Sequence, residues 1–383
     1  MADARFAAAM SEHPIATHAT GEVVGHVLET LERAPDLAVV FVTTPHLGAL
    51  EDIAGAVREI LQPSTLLGVT AVSVLGGDRE VEERPAIALW AAALRGPVVP
   101  VRLDVSTPGV GMTVQGLPSS LAGETEPRTL VLLADPFSTP LEDFLDAAPD
   151  TYPGLRVVGG LASAAQGPGG NRLVLDDRIF TDGAVGALLS PDDAVTAVVS
   201  QGCRPIGAPF TVTKGEGRVI FELAGRPALE RLVELLEGLD PEERALAQRG
   251  IHLGRVIDEH KLEFDRGDFL IRTVLGGDRD VGAIAVGDEI TIGDTVQFQV
   301  RDAVSADIDL RELLEGKHGN GALVFTCNGR GTHLFGRPDH DAEVVDDHVD
   351  NGATAGMFCA GEVGPVGARS FLHGFTASVL LFE

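Results

Sequence analysis

Three stretches of this chain open in the same way. "DLAVVFVTT" (residues 36–44), "RTLVLLADP" (128–136) and "GALVFTCNG" (321–329) are each short, apolar, rich in β-branched residues and closed by a turn former. That is the pattern of a buried strand. A helix is expected after each one. In "HLGALEDIAGAVREIL", Leu50, Ile53, Val57, Ile60 and Leu61 fall on one helical face, and the shorter "TPLEDFLDAAP" and "DAEVVDDHVDN" follow the other two strands. Each segment then reaches a small-residue strand that opens on glycine, passes a Gly-rich turn and returns as a strand. Val39 to Gly68 is 29 residues, Val131 to Gly159 is 28 and Leu323 to Gly356 is 33. A spacing that nearly repeats in this way predicts one strand–helix–hairpin unit used three times, with a longer loop in the third copy.

The material between the copies reads differently. Residues 96–128 are rich in Gly, Pro, Ser and Thr and are expected to form an insertion or hairpin. Residues 194–224 alternate as strand, corner, strand, turn and strand. "RPALERLVELLEGLDPEERALAQRG" predicts a helical pair, with Leu229, Val233 and Leu236 as its stripe and Asp240-Pro241 as a helix start. Strands return over 268–300. At 383 residues two cores are expected, and the change of character places a boundary near Arg226, giving domains 1–225 and 226–383. The expected fold class is α/β in the mixed α+β sense: two domains of mixed sheets with flanking helices.

Composition narrows the function. With 57 acidic against 29 basic residues the net charge is −28, which disfavours nucleic acid and anionic membrane surfaces as partners. The longest apolar run, "AIALWAAAL", is far shorter than the ~20 residues a membrane-spanning helix needs. The N-terminus has no continuous apolar signal segment, so a cytoplasmic location is expected. The only cysteines are Cys203, Cys327 and Cys359, an odd set suited to reduced thiols, and no CxxC pair offers a zinc site. Motifs for phosphate cradles, GxSxG elbows and HExxH sites are absent, and no cofactor is expected.

"SQGCRPIG", "VTKGEG", "LAGRPALE", "CNGRG", "GEVGPVG" and the final "LHGFTASVLLF", in this order, resemble the FIST family, the F-box and intracellular signal transduction proteins. The resemblance runs from about residue 37 to the end and is most specific over 155–230 and 321–382. It implies an N-terminal and a C-terminal FIST half. It also implies a sensory module thought to bind small ligands such as amino acids, one often fused to signalling domains. Both halves use up the length, so a downstream signalling protein of unknown identity is the expected partner.

Site candidates come from residue chemistry. In "TCNGRG", glycines permit close backbone approach, and Arg330 offers a planar fork for a carboxylate beside Cys327 and Asn328. Glu362, in the next hairpin, either holds a ligand's ammonium group or pairs with Arg330. Ser163 in "GGLASAAQGPGG" and Arg204 in "SQGCRPIG" are the candidates from the other half, although small residues there equally serve close sheet packing. Cys327 lines a pocket, fills space, or acts as the nucleophile of a transferase or hydrolase with His333 or His373 as its base. Cys359 is expected to neighbour it across the sheet. The stretch "DHDAEVVDDHVD", despite His340 and His348, reads as a solvated helix face rather than a metal site. A protein-interaction scaffold without a ligand is the third reading.

Overall fold

The computed structural model describes residues 5–106, 113–261 and 263–383. The chain forms two compact units that do not follow the linear halves. The first comprises Met1–Val199, Arg311–Leu372 and Thr376–Glu383; the second comprises Ser200–Leu310 and His373–Phe375. The point near Arg226 lies within the second unit, just before the helix Ala228–Gly238.

The first unit is the triplication. In repeat I the leading strand Leu37–Thr43 is followed by the helix Leu50–Leu61, the second strand Thr65–Ala71, the hairpin Val74–Gly76/Arg79–Val81 and the return strand Ile87–Ala93. Repeat II runs through Arg128–Ala134, the helix Leu141–Thr151, Leu155–Leu161, the hairpin Leu173–Leu175/Arg178–Phe180 and Ala184–Leu188. Repeat III runs through Gly321–Cys327, the short helices Thr332–Phe335 and His340–Asp346, Thr354–Cys359, the hairpin Glu362–Val366/Arg369–His373 and Thr376–Phe382. In every repeat the leading strand pairs parallel with the second strand and antiparallel with the return strand.

The hairpins do not stay at home. The hairpin of repeat I extends the sheet of repeat III, that of II extends the sheet of I, and that of III extends the sheet of II. Three mixed sheets are thereby linked in a cycle. Flanking strands Arg5–Ser11, Val99–Ser106 and Val195–Gln201 cover the return strands on the other edges. The segment 96–128 supplies one of these, paired to Thr113–Gln115, while its residues 107–112 lie outside the described residues.

The repeated glycine has a physical reason. A Cβ on Gly159 or Gly356 would lie 1.8 or 1.9 Å from the carbonyl oxygen of Leu132 or Val324 on the neighbouring leading strand, so no side chain fits. Sheet I packs on the helix Leu50–Leu61 and on Ala16–Leu31, a helix with no counterpart in the sequence reading. Leu50, Ile53, Val57 and Leu61 are buried as expected, but Ile60 is 49% exposed because it falls at the stripe's edge. The helix of repeat II buries Leu141, Phe144, Leu145 and Ala148 against its own sheet.

The second unit is a barrel. Its strands close through pairing of Thr295–Arg301 with Ile251–Val256, around a core that includes Val212, Ile220, Ile284, Val296 and Phe298. The predicted helical pair is present as Ala228–Gly238 and Pro241–Ala247, and the Asp240 carboxylate accepts the Glu243 N–H at 2.8 Å to cap the second helix. The buried face of the first is Ala228 and Leu232 rather than the expected stripe, and Val233 is 44% exposed.

Candidate functional site

The ends of the three second strands meet and bond to one another. Ser163 N–H donates to Thr70 O, Phe358 N–H to Ser73 O, and Ala360 N–H to Leu161 O. The Ser163 hydroxyl ties all three repeats together: it accepts from Val72 N–H at 3.0 Å and donates to Phe358 O at 2.6 Å. Ser163 is therefore committed to structure at the junction.

Register comparison shows where the repeats differ. Gly68, Gly159 and Gly356 face Val174, Val363 and Leu75, so the next pairs along, Val69–Leu173, Met357–Val74 and Gly160–Glu362, are equivalent. Two of these are ordinary apolar contacts. The third sets an acid against a glycine, and Glu362 is fully buried. By the same register Cys327 stands where repeats I and II have Thr43 and Asp135.

Around Glu362 the loop "TCNGRG" turns back on itself, with Arg330 N–H donating to Cys327 O and Gly331 at φ 58°. This is a conformation suited to glycine. The turn drives Arg330 inward to 1% exposure, where its Nε and Nη2 donate to Asp341 at 2.7 and 2.8 Å. Asp341 also accepts from Thr326 Oγ1 at 2.6 Å and contacts His340 Nδ1 at 2.9 Å. Burial opposes ionisation of Asp341, but the Arg330 guanidinium overcomes it and holds the carboxyl well below the usual range. Burial likewise opposes charge on Arg330, and Asp341 reverses that too. Phe335 lies over the Arg330 guanidinium at 5.2 Å and stacks on His340 at 3.4 Å.

The expected solvated face is thus partly core: His340, Asp341, Ala342, Val344 and Val345 are buried. Glu80, from the hairpin of repeat I, accepts the N–H groups of Asp339, Asp341 and Ala342 at this helix's start, and burial pushes its pKa up to about 8.

Glu362 Oε2 accepts from Thr376 N–H at 3.1 Å and Thr376 Oγ1 at 2.8 Å. Burial raises its pKa to about 8, and the Thr376 bonds, Arg330 and the Cys327 thiol offset only part of that rise. Three buried atoms here have no hydrogen-bond partner: Arg330 Nη1 and Glu362 Oε1 in the cluster, and Asn328 Oδ1 in the adjoining loop. Leaving such an atom unpaired costs about 1–3 kcal/mol.

Arg330, Glu362 and Cys327 are thus brought together, with Asn328 next in the same loop, but not as a bare pair: Arg330 is neutralised by Asp341, which the sequence reading missed. Arg204 sits in the second unit, with its Nε on Asp302 at 2.9 Å and its Nη1 on Glu243 at 3.1 Å. The group beside the Cys327 thiol is a carboxyl, Glu362, and His333 is exposed. Among the described residues no cluster of His, Cys, Asp and Glu is arranged to hold a metal.

The FIST N domain model matches residues 36–226 and the FIST C domain model residues 228–365, so the chain belongs to the FIST family. FIST domains are signal-transduction domains suggested to bind small ligands. An uncharacterized protein of Mycobacterium tuberculosis (strain H37Rv) is 41% identical over 99% of both chains. An uncharacterized protein of Mycobacterium bovis is 40% identical over 96% of each. No helix of the described residues is long and apolar enough to cross a membrane.

Proposed function

We propose that this chain is the sensory part of a cytoplasmic signalling system and takes a small zwitterionic metabolite, an amino acid being the simplest, at Arg330, Asn328 and Glu362. The observation that carries the reading is the set of three unpartnered buried atoms, one donor and two acceptors, on the Cys327–Arg330 loop and the Glu362 strand. Arg330 Nη1 donates to the ligand's carboxylate, while Asn328 Oδ1 and Glu362 Oε1 accept from its amino group. Because Asp341 already balances Arg330 and Glu362 holds its proton at neutral pH, the cluster carries little net charge of its own. A zwitterion then adds none, whereas an anion would bring an unpaired charge into a buried site. Output passes to a separate signalling protein.

The test is a thermal-shift screen of the protein against amino acids and small carboxylates, repeated with Asn328→Ala and Glu362→Gln. A ligand at 100 times its Kd stabilises by about 2.7 kcal/mol. A shift seen in the wild type and reduced in both variants supports the site. No shift across the panel, or shifts unchanged in both variants, refutes it. Arg330→Ala is a poor probe, since it strands Asp341 in the core.

A further inference from the structure

Cys327 and Cys359 end adjacent parallel strands and are direct register partners. Neighbouring strands lie about 4.8 Å apart, inside the roughly 4.4–6.8 Å separation of Cα atoms that a disulfide bridges. Register partners project to the same face of a sheet, so the two sulfurs share one side. That side is the Glu362 side: the Cys327 thiol bonds to the Glu362 carboxyl, and the Cys359 sulfur fills the room left by Gly160, 2.3 Å from where a Cβ there would stand. The two thiols differ in access. Cys327 is half-buried at the loop, and Cys359 is fully buried.

We propose that Cys327 and Cys359 form a redox pair that hydrogen peroxide oxidises to a disulfide, with Cys327 reacting first and Cys359 resolving. Cys327 is the thiol that solvent reaches, and it lies close enough to the Arg330 guanidinium to interact with it electrostatically. The thiolate attacks one peroxide oxygen and the O–O bond breaks. The leaving hydroxide takes the proton that Glu362 carries, departing as water, and Cys327 becomes a sulfenic acid. The Cys359 sulfur then attacks the Cys327 sulfur, its proton leaves with the hydroxyl as a second water, and the S–S bond forms. Glu362 recovers from solvent the proton that Cys327 gave up at the start. Two thiols are oxidised and one peroxide is reduced to water. Burial keeps Cys359 protonated until that step, so it does not compete as the attacking group. An external thiol reverses the bond by exchange.

The inference does not require the metabolite proposed above, because its readout is covalent. The full chain is treated with hydrogen peroxide, blocked with iodoacetamide under denaturing conditions and mapped by peptide mass. The expected product is a cross-linked peptide pair carrying Cys327 and Cys359, two hydrogen masses lighter than the reduced pair and reversed by dithiothreitol. Cys203, buried in the other unit, should stay alkylatable and serves as the internal control. Cys359→Ser should trap the sulfenic acid on Cys327 as a dimedone adduct. Both cysteines remaining fully alkylatable, Cys327 going on to sulfinic acid without a cross-link, or Cys203 oxidising as fast as Cys327 would overturn the pair. The wild-type mapping decides the matter even where a variant folds poorly.

Discussion

Glu362→Gln should change how stability depends on pH, and the size of the change follows from the structure. The wild-type carboxyl is fully buried and titrates near 8, whereas in the unfolded chain it titrates near its ordinary 4.5. Between these values the folded state binds a proton that the unfolded state does not, so stability must fall as pH rises. The contribution is complete below about 4.5 and lost at about 1.4 kcal/mol per pH unit up to 8, about 5 kcal/mol over the whole window. Glutamine keeps an acceptor for the Thr376 N–H and hydroxyl, so packing and hydrogen bonds survive while the titration disappears. Glu80 is also raised to about 8, but it titrates in both proteins and cancels in the difference. Urea unfolding of both proteins at several pH values between 5 and 8 is the assay. The variant should gain on the wild type by about 4 kcal/mol from pH 5 to pH 8. Parallel profiles for the two proteins would show that Glu362 does not carry a trapped proton, and the electrostatic account of the site would fall.

Other perturbations test the surroundings. Asp341→Asn should cost about 3–5 kcal/mol by leaving the Arg330 charge uncompensated in the core, measured by urea denaturation, and the double change Arg330→Met with Asp341→Leu should recover most of it. Gly160→Ala brings a Cβ against the Cys359 sulfur and should destabilise by about 1–3 kcal/mol; adding Cys359→Ala should relieve the clash, so the two changes should be strongly non-additive in a double-mutant cycle. Ser163→Ala strips the Val72 N–H of its acceptor and should cost about 1–3 kcal/mol, with amide exchange at Val72 rising before exchange at the sheet centres.

The repeat was legible because its signals are local. Short β-branched strands, a glycine at near-constant spacing and a Gly-rich turn are all visible along the chain, and the structure gives each glycine its neighbour. The destination of each hairpin was not legible, since its partner strand belongs to another repeat. Arg5–Ser11 escaped notice because its alanines carry little strand propensity; pairing with Ile87–Ala93 decides its state. At the site, Arg330, Glu362, Cys327 and Asn328 were readable as unusual polar residues in a small-residue setting. Asp341 was hidden by composition: it sits among acids that look solvated, and only the inward turn at Gly331 brings Arg330 to it. Glu80 was hidden by distance, 261 residues before the Asp341 N–H it accepts.

The exchange of hairpins bears on how the chain is made. A protein synthesised from its N-terminus usually completes each domain as it emerges. Here the sheet of repeat II lacks an edge until residues 362–366 arrive, and the hairpin of repeat I has no partner until Thr354–Cys359 appears. The barrel residues, all but three of which lie in Ser200–Leu310, can close first, while the triplicate waits for the last part of the chain. Loss of a short C-terminal piece would therefore undo more than its own repeat: it would leave an open edge on the sheet of repeat II, whose Gly160 pairs with Glu362, a surface prone to pairing with other chains.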